Sequence, residues 1–314
     1  MTLLDWQAAW QGALYGPDGF YRAAAGPAGH FTTATHGPLG QLLAGAVARM
    51  ARENGLTHLV DVGAGRGELL THVHAADPAL RLTGVDVVAR PQSLPPDVEW
   101  HTAPGGAALP PRLRDLDQTL VIAHEWLDVV PCPIAEVDGD GDLRLVMVDP
   151  TTGEESFGAL VDGDELAWAT THWEPTASGD RVEVGLPRDR AWADLVDRVD
   201  RGVLVAVDYG HRGGDRPMEG TLAAYRRGQL VTPVPDGTCD LTAHVAMDTL
   251  DHDELLDQRT ALRGLGVDGR QPPLELAGRD PQAYLQTLAT SSAAAALTAP
   301  GGFGDFLWAI KRVG

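Results

Sequence analysis

The chain has 314 residues, 44% hydrophobic and 22% charged, which suits one large domain with insertions or two domains. Its 44 acidic residues outnumber 24 basic ones, for a formal charge of −20, and a surface of that sign repels phosphate backbones and argues against nucleic acid as a partner. Two distant cysteines, Cys132 and Cys239, exclude a disulfide scaffold, and neither a signal peptide nor an apolar run of about 18 residues is visible, so a cytoplasmic protein away from membranes is expected.

Residues 3–14 carry Leu3, Leu4, Trp6, Ala9, Trp10 and Leu14 at helical spacing and predict an N-terminal helix. Residues 15–38 are rich in glycine and proline and read as a functional loop around Gly29-His30-Phe31-Thr32-Thr33-Ala34. An apolar helix over 39–53 closes at Asn54-Gly55. Strands are then predicted at 57–62, 81–87, 97–102 and 119–123, with a helix at 66–76. Strands alternating with helices imply a parallel sheet with right-handed crossovers. After residue 132 the alternation breaks. A hairpin turns around Asp138-Gly139-Asp140-Gly141, and short strand-like runs continue to about residue 190. A helix at 191–200, a buried strand at 203–207, a glycine- and proline-rich loop over 211–240, a helix at 250–263 and a last strand at 305–311 complete the reading. The expected organisation is an N-terminal helix and loop (1–38), a sheet domain begun by 39–133 and resumed by 191–314, and a β-rich insertion (134–190) between them.

Residues 59–70, Leu-Val-Asp-Val-Gly-Ala-Gly-Arg-Gly-Glu-Leu-Leu, hold the strongest signal. A buried strand that ends in a glycine turn before a helix is a nucleotide cradle, and glycine lets backbone approach a ligand that a Cβ would push away. The dinucleotide pattern G-x-G-x-x-G, counted from Gly63, would need glycine where Glu68 stands. The spacing here is D-x-G-x-G-x-G, beginning at Asp61, and looks like the loop that holds S-adenosylmethionine (SAM). Asp86 ends the second strand, 19 residues after Gly67, where a carboxylate can accept from both ribose hydroxyls. Asp61 is placed to accept from an amino group, which the methionine part of SAM carries.

The fourth strand runs into His124-Glu125-Trp126-Leu127-Asp128-Val129-Val130-Pro131. Ligands of parallel sheets sit at strand carboxyl ends, so His124, Glu125 and Asp128 could take a proton from a substrate nitrogen or stabilise a cation. The competing structural role for Asp128 is a helix cap. His244, Asp248 and His252 recur every four residues, but Pro235 and Gly237 nearby argue against a helix and no metal motif supports them; no metal is expected.

Six segments occur in order: Gly29-His30-Phe31-Thr32-Thr33-Ala34, Gly63-Ala64-Gly65-Arg66-Gly67, Glu125 to Asp128 with Pro131, Asp208-Tyr209-Gly210, Gly220-Thr221-Leu222 with Ala224-Tyr225-Arg226, and Asp240-Leu241-Thr242-Ala243-His244-Val245. Over about residues 12–250 the chain resembles the MidA-like family of SAM-dependent methyltransferases. That family includes the mitochondrial complex I assembly factor that methylates an arginine of a partner subunit. The sequence departs from the family at Thr35-His36-Gly37-Pro38, where Pro-Glu-Ile-Ser is usual, and at His124, where asparagine is usual.

The resemblance implies a class I methyltransferase fold: an α/β, mostly parallel Rossmann-like sheet with an inserted β-rich subdomain and an N-terminal helical extension. It implies SAM as cofactor, bound by Asp61, Gly63, Ala64, Gly65, Gly67, Asp86 and Thr33. His124, Glu125 and Asp128 become the catalytic candidates, and the acceptor a protein side chain such as arginine, or else a small molecule. A SAM-binding assembly chaperone without activity is the main rival reading. An NAD oxidoreductase is a weaker one, opposed by the glycine spacing and by Asp61.

Overall fold

The computed structural model describes residues 3–23 and 34–314. Seven strands form the main sheet: β1 (His58–Val62), β2 (Arg81–Asp86), β3 (Glu99–Thr102), β4 (Leu116–His124), β5 (Val199–Asp208), β6 (Glu254–Asp257) and β7 (Leu307–Val313). Their spatial order is 3-2-1-4-5-7-6. The pairs β3–β2, β2–β1, β1–β4 and β4–β5 are parallel, whereas β7 runs against both β5 and β6. The chain therefore reverses direction only at β7, and the carboxyl ends of the other six strands share one edge.

The strand sequences explain why the sheet is covered on both sides. In a strand, successive side chains point to opposite faces. Leu59, Leu120, Ile122, Val203 and Val205 enter one core, while Val60, Val121, Ala123, Leu204 and Ala206 enter the other. The chain forms helices α1 (Trp6–Tyr15), α2 (Gly37–Glu53), α3 (Glu68–Ala76), α4 (Gly163–His172), α5 (Leu186–Val196), α6 (Gln258–Gly264), α7 (Leu274–Arg279) and α8 (Pro281–Leu297). Leu43 and Val47 of α2, Leu69, Leu70 and Val73 of α3 and Leu297 of α8 fill the first core, and Trp192 and Leu195 of α5 fill the second. Burying one such large apolar side chain contributes about 1.5–3 kcal/mol.

A second sheet holds Ile134–Val137, Leu143–Val148, Glu155–Leu160 and Arg181–Glu183, and Leu4–Asp5 pairs with its Val148 and Met147. The N-terminal segment and residues 134–183 thus share one sheet. Asp5 then caps α1 by accepting from the Ala8 amide at 2.9 Å. Trp6 and Trp10, one helical turn apart, are both buried in the core behind this sheet, and the Trp10 indole donates to the Leu241 carbonyl at 3.0 Å. Helix α4 lies within the 134–190 stretch, where the sequence suggested strands alone.

Two other expectations change. The helix expected over 250–263 is split into β6 and α6. Leu255 and Leu256 are a short apolar run that periodicity cannot assign. The open edge of β7 decides it by pairing with them, and the Asp257 carboxylate accepts from the Thr260 amide to start α6. The loop expected over 211–240 contains a hairpin, Ala223–Arg226 with Gln229–Val231. Arg227 and Gly228 both have positive φ, +52° and +72°, which matches the twist of a two-residue hairpin turn. Asp240–Thr242 pairs with the other side of Ala223–Tyr225.

Candidate active site

A cavity of about 680 Å³ opens at the carboxyl ends of β1, β2, β4 and β5. Asp61, Gly63, Ala64, Gly65, Asp86, His124, Glu125 and Asp128 all line it. Gly67 is not in the wall. With φ of +75° it closes the turn into α3, and a Cβ there would fall 2.4 Å from a methyl of Leu94. Its glycine serves turn geometry and packing. Thr33 lies outside the described residues.

On the β1–β2 side, every amide of the glycine loop is already used. Gly63 and Ala64 donate to the Val85 carbonyl at 2.9 and 3.1 Å. Gly65 donates to Asp86 Oδ2 at 2.8 Å, Arg66 to Glu68 Oε2 at 3.0 Å and Gly67 to the Ala64 carbonyl at 2.8 Å. A pyrophosphate site needs such amides free and a helix start without an acid, and here Glu68 opens α3. The cradle therefore suits a ligand without phosphates. A Cβ on Gly63 would stand 3.3 Å from Trp126 Cβ, so that glycine keeps the floor low.

Asp61 is buried, and its carboxylate has no hydrogen-bond partner among the described residues. Burial pushes its pKa to about 7, with Asp86 and Glu68 adding to the rise and His124 opposing it. Burial likewise raises Asp86 to about 6, held back by the amides of Val88, Gly65 and Val87. Two carboxylates in a dry cleft call for a cation and hydrogen-bond donors. The ammonium, sulfonium and ribose hydroxyls of SAM supply these, so the residues present fit that cofactor.

The side toward β4 and β5 is assembled from distant segments. Glu125 sits at φ +52°, a left-handed backbone that costs a non-glycine residue about 1–2 kcal/mol. The Glu125 amide is pinned to the Val207 carbonyl at 2.8 Å, and its Oε1 lies 3.3 Å from His124 Nδ1. Asp128 is buried, and its Oδ2 accepts from the hydroxyls of Tyr209 and Thr242, the latter at 2.7 Å. Asp208, at the end of β5, accepts the amides of Leu127 and Asp128 at 3.1 Å each. Arg188 of α5, almost fully buried, donates to the carbonyls of Asp128, Val130 and His244 at 2.9, 3.1 and 2.8 Å. Tyr15, at the end of α1, donates to the Val129 carbonyl at 3.1 Å, and Tyr21 donates to Asp240 Oδ1 at 2.8 Å.

Burial raises Asp128 to about 6 and Asp240 to about 7. Glu125 adds to both, and the hydroxyls bound to each carboxylate oppose the rise. No arginine or lysine among the described residues pairs with Asp61, Asp86, Glu125, Asp128 or Asp240. Asp61, Glu68, Asp86, Glu125, Asp128 and Asp240 outnumber Arg22 and Arg66 in the wall, so the cavity carries an excess of acids suited to positive ligands.

Residues 39–264, more than half of the chain, match the model of a protein family described as "Putative S-adenosyl-L-methionine-dependent methyltransferase". The chain belongs to this family of SAM-dependent methyltransferases. SAM is its cofactor, and the MidA-like resemblance holds. The fold agrees with a COG1565 superfamily member from Burkholderia thailandensis bound to S-adenosyl-homocysteine (22% identity, 98% of this chain and 87% of that one, TM-score 0.75). The native crystal structure of a COG1565 superfamily protein from the same organism is similar too (22% identity, 99% and 87%, TM-score 0.71). No curated protein matches the chain. Among the described residues of this methyltransferase, no helix is long and apolar enough to cross a membrane.

Sequence reasoning brought His124, Glu125 and Asp128 to this cavity but missed the groups that hold them. Tyr209, Asp240 and Thr242 sat inside the family-like segments without assigned roles. Arg188, within Pro187-Arg188-Asp189-Arg190, looks like a solvated helix start and carries no signal of burial. His244, Asp248 and His252 are not on a helix, and among the described residues no cluster fit for a metal occurs.

Proposed function

We propose that this methyltransferase methylates a nitrogen of a protein side chain, an arginine guanidinium being the best fit. The observation that carries this reading is the set of unneutralised carboxylates, Glu125, Asp128 and Asp240, on the β4–β5 side of the cavity. A guanidinium is planar, always charged and rich in donors, and carboxylates are its natural partners. SAM supplies a methyl group on a sulfonium, so the transfer needs no metal and no covalent enzyme intermediate.

The protein's task is alignment and charge placement. In this reading Asp61 holds the ammonium of the cofactor, Asp86 its ribose, and Gly63, Ala64 and Gly65 let it lie against the backbone. Glu125 and Asp128 orient the acceptor, localise its charge and take the proton it loses, with His124 beside Glu125 as the next station. Holding both reactants in line can be worth about 7–11 kcal/mol.

The test is labelled methyl transfer from SAM into the proteome of a strain lacking this gene, with the acceptor site read by mass spectrometry. Methylarginine absent from the untreated strain is the expected product. Glu125→Gln should lower turnover about a hundredfold and leave S-adenosyl-homocysteine affinity within about twofold by calorimetry. Full turnover in that variant removes Glu125 from the mechanism.

A further inference from the structure

Asp128 presents its two oxygens to different surroundings. Oδ2 is met by two hydroxyls, Tyr209 and Thr242, which also lie against each other. Two hydroxyls carry two protons, and an ionised carboxylate oxygen accepts both. Oδ1 is equally buried and has no hydrogen-bond partner among the described residues. The backbone around it is fixed from two further elements, because Asp208 binds the amides of Leu127 and Asp128, and Arg188 binds the Asp128 carbonyl. The Tyr209 ring is wedged between His244 and Phe306, at centroid distances of 5.4 and 5.5 Å, so its hydroxyl cannot swing away cheaply.

We propose that Tyr209 and Thr242 are positioning residues that hold Asp128 ionised and leave its Oδ1 as the oxygen offered to the methyl acceptor. This rests on the reading that the acceptor meets Glu125 and Asp128. It goes further by dividing their labour. Asp128 is the fixed anchor, locked from four directions, while the Glu125 side chain is more exposed as a whole and, among the described residues, has no hydrogen bond to its buried Oε1, which lies 3.3 Å from His124 Nδ1. A fixed, desolvated oxygen sets direction, whereas a looser carboxylate can follow a departing proton.

The charged and titratable groups facing Asp128 are Glu125 on its own loop, Asp208 and Tyr209 at the end of β5, Arg188 of α5, and Asp240 with the phenols Tyr15 and Tyr21. Glu125, Asp208 and Asp240 are the acids among them, so removing an O–H donor makes ionised Asp128 harder to keep. Tyr209→Phe retains the ring and deletes one donor; Thr242→Val deletes the other, and Thr242→Ser restores it.

The experiment has two arms. The first is the pH profile of labelled methyl transfer into proteome from the strain lacking the gene. Tyr209→Phe and Thr242→Val should move the acidic limb up by about one pH unit, a tenfold loss below it. Thr242→Ser should match the parent protein. The second arm needs no acceptor: the Asp128 carboxyl is titrated by 13C NMR in aspartate-labelled protein saturated with S-adenosyl-homocysteine, assigned with Asp128→Asn. Its midpoint should rise in Tyr209→Phe and Thr242→Val and stay in place in Thr242→Ser. A midpoint that does not rise overturns the proposal, as does a rate loss equal at every pH. A raised midpoint with no methyl transfer by the parent protein supports the positioning and overturns the proposed function instead.

Discussion

Between Asp61 and Asp86 the chain supplies, within 26 residues (61 through 86), every described group assigned to the cofactor. The proposed acceptor side draws Glu125 and Asp128 from the loop after β4, Tyr209 from the end of β5, Thr242 and Asp240 from a short strand, Arg188 from α5 and Tyr15 from α1. The first region is held by its own backbone and the nearby carboxylates of Glu68 and Asp86, each loop amide finding a partner within 25 residues. The second is held largely by contacts between distant segments, such as Arg188 to Val130, 58 residues apart, and Asp128 to Thr242, 114 apart. A local site can be retained whole while a composite one drifts, and both departures from the usual family pattern, at Thr35–Pro38 and at His124, fall outside the glycine loop.

This contrast can be broken most forcefully at Arg188. Arg188→Met removes a donor from three carbonyls; that of Asp128 keeps the Ala243 amide at 3.2 Å, but the buried Val130 carbonyl loses its donor, at a cost of about 1–3 kcal/mol. Denaturant unfolding should show a loss of about 3–5 kcal/mol, because the buried acids Asp128, Asp208 and Glu183 also lose the positive charge beside them. Folded protein at low temperature should still bind S-adenosyl-homocysteine, because no glycine-loop group touches Arg188. Loss of that binding would show that the two halves are one unit.

Asp61→Asn probes the other half. It removes one charge-assisted contact, worth about 1.5–3 kcal/mol, so calorimetry should show affinity for S-adenosyl-homocysteine falling about ten- to a hundredfold. Unfolding of the same variant should show no loss of stability in the ligand-free protein.

The pH dependence sharpens this. Asp61 has a folded pKa of about 7, above its unfolded value near 3.8. Between those values the folded state holds more protons than the unfolded one, so stability falls as pH rises through that window. Ligand-free protein should therefore melt lower at pH 8 than at pH 6. Asp61→Asn should flatten that slope, and cofactor product, which prefers the ionised form, should bind more tightly as pH rises from 6 to 8. An unchanged slope in the variant would show that Asp61 does not titrate in this range.

The smallest effect is expected at Glu125→Gly. It relieves the left-handed backbone, worth about 1–2 kcal/mol, against an entropic cost of about 0.5–1 kcal/mol for glycine. The variant should be more stable by up to about 1.5 kcal/mol and should not transfer methyl groups. A loss of stability would mean that φ of +52° is not strained here.

Much of the sheet was legible because its information is local. Apolar runs such as Thr119 to Ala123 and Val203 to Val207 are short, rich in β-branched residues and buried on both faces, as interior parallel strands are. The 134–149 hairpin was legible from its Asp-Gly turn. The strand in 254–257, the hairpin within 211–240 and helix α4 were not. Each is short, polar or ambiguous, and gains its form from a neighbour far away in sequence.

By itself the sequence determined the glycine loop, its preference for a ligand without phosphates, and the acids Asp61 and Asp86 beside it, since a strand, a turn and a helix start are set by contacts between near neighbours. Only the tertiary structure decided that Gly67 serves packing with Leu94, that Arg188 is buried, and that Asp128 has one oxygen committed and one free. Those outcomes depend on which side chains meet across loops of 60 residues or more. That pairing is fixed by burial and hydrogen-bond satisfaction in the assembled core.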